Sequence, residues 1–568
     1  MRYSNFFGKT SKGELAGSEV RGHQLLLRGG FIAESVAGRY FFLPMGWRVH
    51  EKIRQIIKSY MDKIGAQEMI TPTLHPLELW KETNRTSTAG FELMKVKDRR
   101  EAEFALGGTA EEMFVDVVRK RSISYRDLPF HLYQFSNKFR DEMRARGGLL
   151  RVREFIMKDA YSFDRDDENF KKTYDQMRDT YTAIFSELGL KTKVVLADGG
   201  YIGGDYCHEF QVENDIGEGV FFETADETYC AHEDVAEFSR GKMNEDEPLA
   251  ELETIDQPEW VHTMADNEKH YGQPSWRFLK NVVYKHRLSG EIIIATIRGD
   301  LDVNKTKLEK VLNATGQLED ATDEDLKFIG TKPGYVHSWG HKAKYIGDVS
   351  MQSVNNFIGG QKTETTDTKN VNYGRDFECE MLADIALCYD GATTEDGKKL
   401  QKKTGVEVGN IFQLGTHYTD TMKGAEFMDE DGRTKPYYMG CYGIGLGRTM
   451  ATIAQIYSDE KGLKWPKNIA PFRVYLAPIG GSDEVYKTAE TLYQTFLEKK
   501  IDVLYDDRRD KKSTPGQKFS DHELLGIPYR IVLSEKTLAE NSAEIVDRES
   551  GNMTMVSLDE LVAFLSKN

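Results

Sequence analysis

The sequence predicts an α+β fold: an antiparallel sheet backed by amphipathic helices, an α+β unit inserted into it, and a small α/β unit at the C-terminal end. Three features carry that expectation. Two strand-like runs, residues 131–139 and 151–163, flank an arginine-rich loop containing Gly147 and Gly148, the pattern of a long antiparallel hairpin. Residues 224–405 change character, with an acidic stretch from Asn244 to Glu259 ahead of new strands such as Glu291 to Arg298. Beyond Phe472, strand and helix alternate through 472–479, 484–499, 501–505 and 528–533.

The elements around the sheet are legible one by one. Val49, Ile53, Ile56, Ile57, Tyr60 and Ile64 recur at helical spacing, and Gly65 stands where a helix stops. An extended segment, 66–71, follows and is closed by Pro72, which cannot donate a backbone hydrogen bond. Phe170, Tyr174, Met177, Tyr181, Ile184, Phe185 and Leu188 trace a second amphipathic helix, ended by Gly189. The segment Gly440 to Arg448 has glycines at alternate positions and runs into a helical pattern carrying Met450, Ile453, Ala454 and Tyr457. These readings divide the chain into 1–223, 224–405, 406–465 and 470–568, with Pro466 and Pro471 marking the last linker.

At 568 residues the chain exceeds what a single hydrophobic core supports. Its 39% hydrophobic and 30% charged content, with a mean hydropathy of -0.55, describes a globular protein without a run able to cross a bilayer. The N-terminus does not read as a secretory signal, so a cytoplasmic, membrane-free location is expected. Five scattered cysteines form no C-x-x-C pair, which predicts reduced thiols and no zinc site. The formal charge, 76 minus 92 or -16, argues against general coating of nucleic acid and leaves room for a local basic face.

Arg140, Arg144, Arg146, Arg151 and Arg153 concentrate planar guanidinium groups on the hairpin loop, suited to polyphosphate or to pairing with Asp141, Glu142 and Glu154. The alternate glycines 443, 445 and 447 let a strand lie close to a planar ligand, and Arg448 adds charge at a helix start.

Taken in order, the helix and strand ending at Pro72, the Phe139-Arg140-Asp141-Glu142 loop with Arg153-Glu154-Phe155, and the glycine-rich strand ending in Arg448 resemble the three motifs of class II aminoacyl-tRNA synthetases. Residues 108–112, 158–163, 208–210, 371–376 and 407–416 narrow the resemblance to bacterial-type prolyl-tRNA synthetases, over nearly the whole chain. Gly447 departs from the glutamate that many class II enzymes place before that arginine.

The resemblance implies ATP and Mg2+ as cofactors, L-proline and tRNA(Pro) as partners, and a homodimer formed through the element ending at Pro72. It gives Arg140 the α-phosphate and the proline carboxylate, Glu142 the adenine amino group, Phe155 the adenine ring, and Arg448 the γ-phosphate. Arg151 joins them in the ATP site, with Gln413 and Thr416 as nucleoside contacts. Thr109, Glu111, Arg140, His208 and Cys441 form the proline pocket, where Glu111 answers the need of a buried ammonium for a carboxylate. No metal ligand is assigned, although Glu407 is a candidate acid near the phosphates.

The inserted unit resembles the editing domain that hydrolyses alanyl-tRNA(Pro), a need set by the weak discrimination that lost methylenes provide. Lys285 matches its lysine and Gly334 its loop, in which Ser338 replaces a proline; without proline's fixed φ the loop is expected to be looser and editing slower. The C-terminal unit resembles an anticodon-binding domain, with Arg508, Arg509, Lys511, Lys512 and Lys518 as the basic cluster directed at tRNA.

Overall fold

The structure, a computed structural model, describes every residue except 12, 14–19, 87–92, 205, 511–512 and 568. Its centre is a nine-stranded sheet made of β1 (Gln67–Glu68), β2 (Phe130–Phe139), β3 (Glu154–Asp164), β4 (Lys193–Ala197), β5 (Cys207–Glu213), β6 (Gly219–Thr224), β7 (Cys230–His232), β8 (Leu400–Gly415) and β9 (Tyr438–Gly445). The spatial order is β5-β4-β7-β6-β8-β9-β3-β2-β1, with β5 also pairing to β8. All neighbours run antiparallel except β1 with β2 and β4 with β7.

The predicted hairpin is β2 and β3, in unbroken register from Phe130 opposite Phe163 to Phe139 opposite Glu154. Strand alternation then sorts side chains between two faces. One face is covered by helices. Helix α1 (Pro44–Lys63) begins with Pro44 in its first turn, buries Val49, Ile53, Ile57 and Met61, and stops before Gly65, whose φ of 76° suits glycine. Helix α2 (Glu111–Arg119) lies on the opposite face, its first turn over β3. Helix α3 (Asp167–Glu187), capped by the Asp166 carboxylate accepting from the Asn169 amide, packs Phe170, Tyr174, Tyr181 and Phe185 against Ala160, Phe210, Ile411 and Tyr442 of the sheet. Helix α4 (Leu446–Ile456) continues directly from β9.

The extended run expected to end at Pro72 pairs over Gln67 and Glu68 alone. Thr71 leaves the ladder because its amide and hydroxyl both donate to the Gln134 side chain, each at 2.9 Å. The insertion also begins later and ends earlier than composition suggested: β6, β7 and the start of β8 belong to the central sheet, so the inserted unit spans residues between His232 and Leu400. It holds a five-stranded sheet ordered Leu318–Asp320, Leu279–His286, Ile292–Arg298, Lys344–Asp348, Met381–Ala383. Phe222, Phe238, Ile297, Ala386 and Leu400 form the apolar cluster that joins it to the central sheet.

The C-terminal unit is a five-stranded mixed sheet ordered Val503–Tyr505, Val474–Pro478, Tyr529–Leu533, Ser542–Asp547, Met553–Ser557. The chain's first residues cross to it: the Met1 ammonium donates to Tyr493 at 3.0 Å, Arg2 pairs with Glu490, and the Ser4 amide donates to Asp507 at 2.9 Å.

Candidate active site

Arg140, Glu142, Arg151, Phe155, Met157, Glu407, Asn410, Gly443, Gly445 and Arg448 line one cleft on the open face of the sheet. A second hollow, of about 280 Å³, adjoins it and adds Glu209, Glu218 and His232. The period of the strand is what turns Phe155 and Met157 outward together. Gly443 has a physical reason to be glycine, since a Cβ there would stand 2.9 Å from Asn410 Oδ1.

The cations of this cleft are held in place without being consumed. Arg448, in the first turn of α4, donates through Nε to the Leu150 carbonyl at 2.8 Å and pairs through Nη1 with Glu407 at 3.1 Å. Arg151 bridges Glu142 at 2.8 Å and Glu218 at 3.2 Å. The Arg140 guanidinium lies 5.3 Å from the centre of the Phe155 ring, and its Nη2 reaches the Gly108 carbonyl at 3.5 Å. Burial, reinforced by the neighbouring Glu407 charge, pushes the Glu209 carboxyl up to about 7. Burial works against a charged His232, but Asp234 and Glu209 outweigh it and raise the imidazole to about 9.

Through the Gly108 carbonyl, Arg140 also adjoins a buried polar cluster. There the Thr109 hydroxyl donates to the Glu111 carboxylate at 2.6 and 2.7 Å, and Cys441 Sγ lies 3.2 Å from Glu111 Oε1. Tyr161 accepts from the Ala110 amide at 3.0 Å and donates to Asp159 at 3.1 Å, while Asp159 pairs with Lys138 at 2.8 Å. Arg85, which sequence reading passed over, pairs with both Glu111 and Glu112. Asp159 and Tyr161 lie within the 158–163 motif but only register turns them toward Glu111, and Arg85, which belongs to no motif, was discoverable only through tertiary contact.

Three expected site residues lie elsewhere. His208 is the register partner of Ile411, which faces Tyr442 in turn, so it points to the α3 side, where its Nδ1 is 2.8 Å from the Tyr174 hydroxyl. Its neighbour Cys207, partner of Phe412 and so of Cys441, lies on the Cys441 face instead. Gln413 stands opposite Gly440, again on the α3 side, and is absent from the cleft lining. Thr416 begins the short helix His417–Thr421 and donates its hydroxyl to Asp420 at 2.5 Å, also away from the cleft.

In the inserted unit, Lys285 pairs with Asp325 at 2.8 Å, at the N-terminal end of the helix Asp323–Phe328, and does not border the local cavity. That cavity, of about 210 Å³, is lined by Lys280, Asn281, Gly334, Lys362 and Asp367 among others. Burial pushes the Asp367 carboxyl up to about 6. Ser338 does not loosen its loop: it is fully buried, its amide donates to the Gly360 carbonyl at 2.8 Å, and its hydroxyl donates to Asn281 at 3.1 Å.

The C-terminal cluster is largely turned inward. Lys518 is 1% exposed and donates to the Pro478 and Asp506 carbonyls at 2.9 and 3.0 Å. Arg508 pairs with Asp506 at 2.7 Å and Asp521 at 2.8 Å, beneath which Tyr3 offers its ring at 3.8 Å. Arg509 is half exposed, pairs with Asp483 at 2.7 Å and covers the Tyr486 ring. Lys511 and Lys512 fall outside the described residues.

An antiparallel sheet carrying this cleft, with a separate C-terminal unit, defines a class II aminoacyl-tRNA synthetase. The tRNA synthetase class II core family (G, H, P, S and T) matches residues 94–457, and the anticodon binding domain family matches 473–568. The proline--tRNA ligase of Geobacter sp. (strain M21) is 40% identical over 569 residues, covering 99% of this chain and 98% of that one. That of Persephonella marina is 41% identical over 573 residues, covering 100% of both. The crystal structure of prolyl-tRNA synthetase from Cryptosporidium parvum complexed with halofuginone and AMPPNP shares the fold, with a TM-score of 0.58 at 14% identity over 98% of this chain and 78% of that chain. The chain belongs to the prolyl-tRNA synthetases, the proline–tRNA ligases of class II.

Proposed function

We propose that this protein activates L-proline with ATP in the cleft and transfers it from the adenylate to the 3' end of tRNA(Pro). The observation that carries this reading is the position of Arg140, which lines the Phe155 cleft and adjoins the buried Thr109–Glu111–Cys441 cluster through the Gly108 carbonyl. Adenine stacks on Phe155 with Arg448 closing the other side, and the phosphates run along Arg140 and Arg448. The pyrrolidine ring lies against the Thr109–Glu111–Cys441 cluster with its ammonium toward Glu111. The proline carboxylate attacks the α-phosphorus, the bond to the bridging oxygen breaks, and pyrophosphate leaves with the electron pair. No side chain needs to gain or lose a proton in that step, so positioning and charge supply the acceleration.

Among the described residues no three His, Cys, Asp or Glu side chains converge as a metal cage. Glu209, whose carboxyl is raised by burial and then by the Glu407 charge, and Glu407 would hold the Mg2+ that accompanies ATP, which would supply positive charge to the leaving phosphates. The protein works as a homodimer through α1 and the edge strand β1, beside which Ile70 is 73% exposed. It acts in the cytoplasm; among the described residues no helix is long and apolar enough to cross a membrane.

The cavity of the inserted unit hydrolyses alanyl-tRNA(Pro), its size admitting an alanyl ester. Lys280→Ala is expected to abolish that deacylation while Lys285→Ala leaves it unchanged. ATP–pyrophosphate exchange measured with each of the twenty amino acids tests the main reading: exchange with proline is expected, and exchange with threonine instead, or with none, contradicts it.

A further inference from the structure

Among the described residues around Glu111, three buried carboxylates share two paired cations. Arg85 Nη1 lies 3.1 Å from Glu111 Oε2 and 2.8 Å from Glu112 Oε1, so a single guanidinium nitrogen is divided between two carboxylates. Arg85 is 4% exposed and both glutamates are fully buried. Lys138 is matched by Asp159 within the same hydrogen-bonded network. Ionised, these groups are two cations, Lys138 and Arg85, against three anions, Asp159, Glu111 and Glu112. Three further basic side chains face these groups and are weakened as cations by burial: His75 drops to about 4, Lys158 beside Asp159 drops to about 7, and His417 near Arg85 is lowered as well.

The arrangement around Glu112 is specific. Its Oε1 takes the Thr83 hydroxyl at 2.8 Å besides Arg85, whereas its buried Oε2 has no hydrogen-bond partner. A salt bridge built for stability pairs each charge, and a surplus buried carboxylate costs free energy. Resting on the assignment of the proline pocket to this cluster, we propose that Glu112 is a positioning residue for specificity: by holding Arg85 away from full neutralisation of Glu111, it leaves the pocket selective for a cationic imino acid. Burial, aided by the Glu111 charge and only partly countered by Arg85, also pushes Glu112 up, the behaviour of a carboxylate awaiting a second cation.

Glu112→Gln is the test, because an amide can keep the Thr83 and Arg85 contacts through its oxygen and places its nitrogen where Oε2 has no partner. In pyrophosphate exchange the KM for proline should rise about tenfold or more, the loss expected for an interaction with a charged group, with kcat at saturation and the KM for ATP held within about twofold. The deciding readout is competition by tetrahydrofuran-2-carboxylate, which replaces the ring ammonium with an ether oxygen. Its inhibition constant should stay the same or fall in Glu112→Gln. A role confined to packing weakens both ligands alike, and that result, or an unchanged KM for proline, overturns the proposal. Glu111→Gln measured alongside separates the two claims: a raised KM there with none in Glu112→Gln removes only the Glu112 role, whereas no change in either variant removes the pocket assignment and the proposal together.

Discussion

The hairpin loop of the catalytic sheet and the segment 508–518 of the C-terminal unit are both clusters of arginine and lysine interleaved with acids, yet they use their charges in opposite ways. Around the cleft, Arg151 and Arg146 pair with Glu142 and Glu218 at the rim and keep 41% and 60% of their side-chain surface exposed. In the C-terminal unit, Lys518 and Arg508 pair with carboxylates and carbonyls inside the domain and keep 1% and 15%. The rim cluster keeps its charges exposed where the sheet beneath it opens a hollow. Where the surrounding acids are themselves buried, as Asp506 and Asp521 are, the same residue types form internal ties.

The largest expected contrast between these regions is in catalysis. Arg140→Ala should lower proline-dependent exchange by about 10²–10³ with the fold intact, the loss typical of one group aimed at developing charge. Arg508→Ala should instead destabilise the protein by about 3 kcal/mol, because Asp506 and Asp521 lose their buried partner. Chemical denaturation and exchange kinetics on both variants would break the comparison if the effects were reversed.

A smaller effect is expected in the inserted unit. Ser338→Pro removes the amide that donates to Gly360 and the hydroxyl that donates to Asn281, so it should destabilise by roughly 1–3 kcal/mol and slow alanyl-tRNA deacylation. Faster editing would show that chain stiffness outweighs those bonds.

The remaining effect is a pH dependence. Glu209 has a folded-state pKa raised from 4.5 to about 7, so the folded protein holds the proton more tightly than the unfolded chain. Its contribution to stability is full below pH 4.5 and is lost as pH rises through 7. Glu209→Gln should therefore melt at a higher temperature than the parent above pH 7, with the difference vanishing below pH 4.5. A constant offset across that range would mean that Glu209 is not the titrating group.

These contrasts mark what the sequence could and could not convey. The hairpin, α1, α3 and the strand-to-helix turn at Arg448 were legible because apolar period and glycine placement fix them locally. That Arg140, Phe155 and Arg448 share one cleft was legible because they sit at motif positions on those elements. His208 and Gln413 face α3, one step of strand alternation from the cleft face, which no motif records and only register reveals. Lys518 looked like a surface cation because the carbonyls that bury it, Pro478 and Asp506, come from two other segments. Ser338 looked like a lost proline because its two bonds reach Asn281 and Gly360, remote in sequence.

The most direct test is a co-crystal structure with a non-hydrolysable prolyl-adenylate analogue, prolyl-sulfamoyl adenosine. Adenine should lie on the Phe155 ring, the sulfamoyl group beside Arg140, and the pyrrolidine nitrogen within hydrogen-bond distance of Glu111. An adenine bound away from Phe155, or a pyrrolidine ring lodged beside His208 and Tyr174 on the α3 side, would contradict the account.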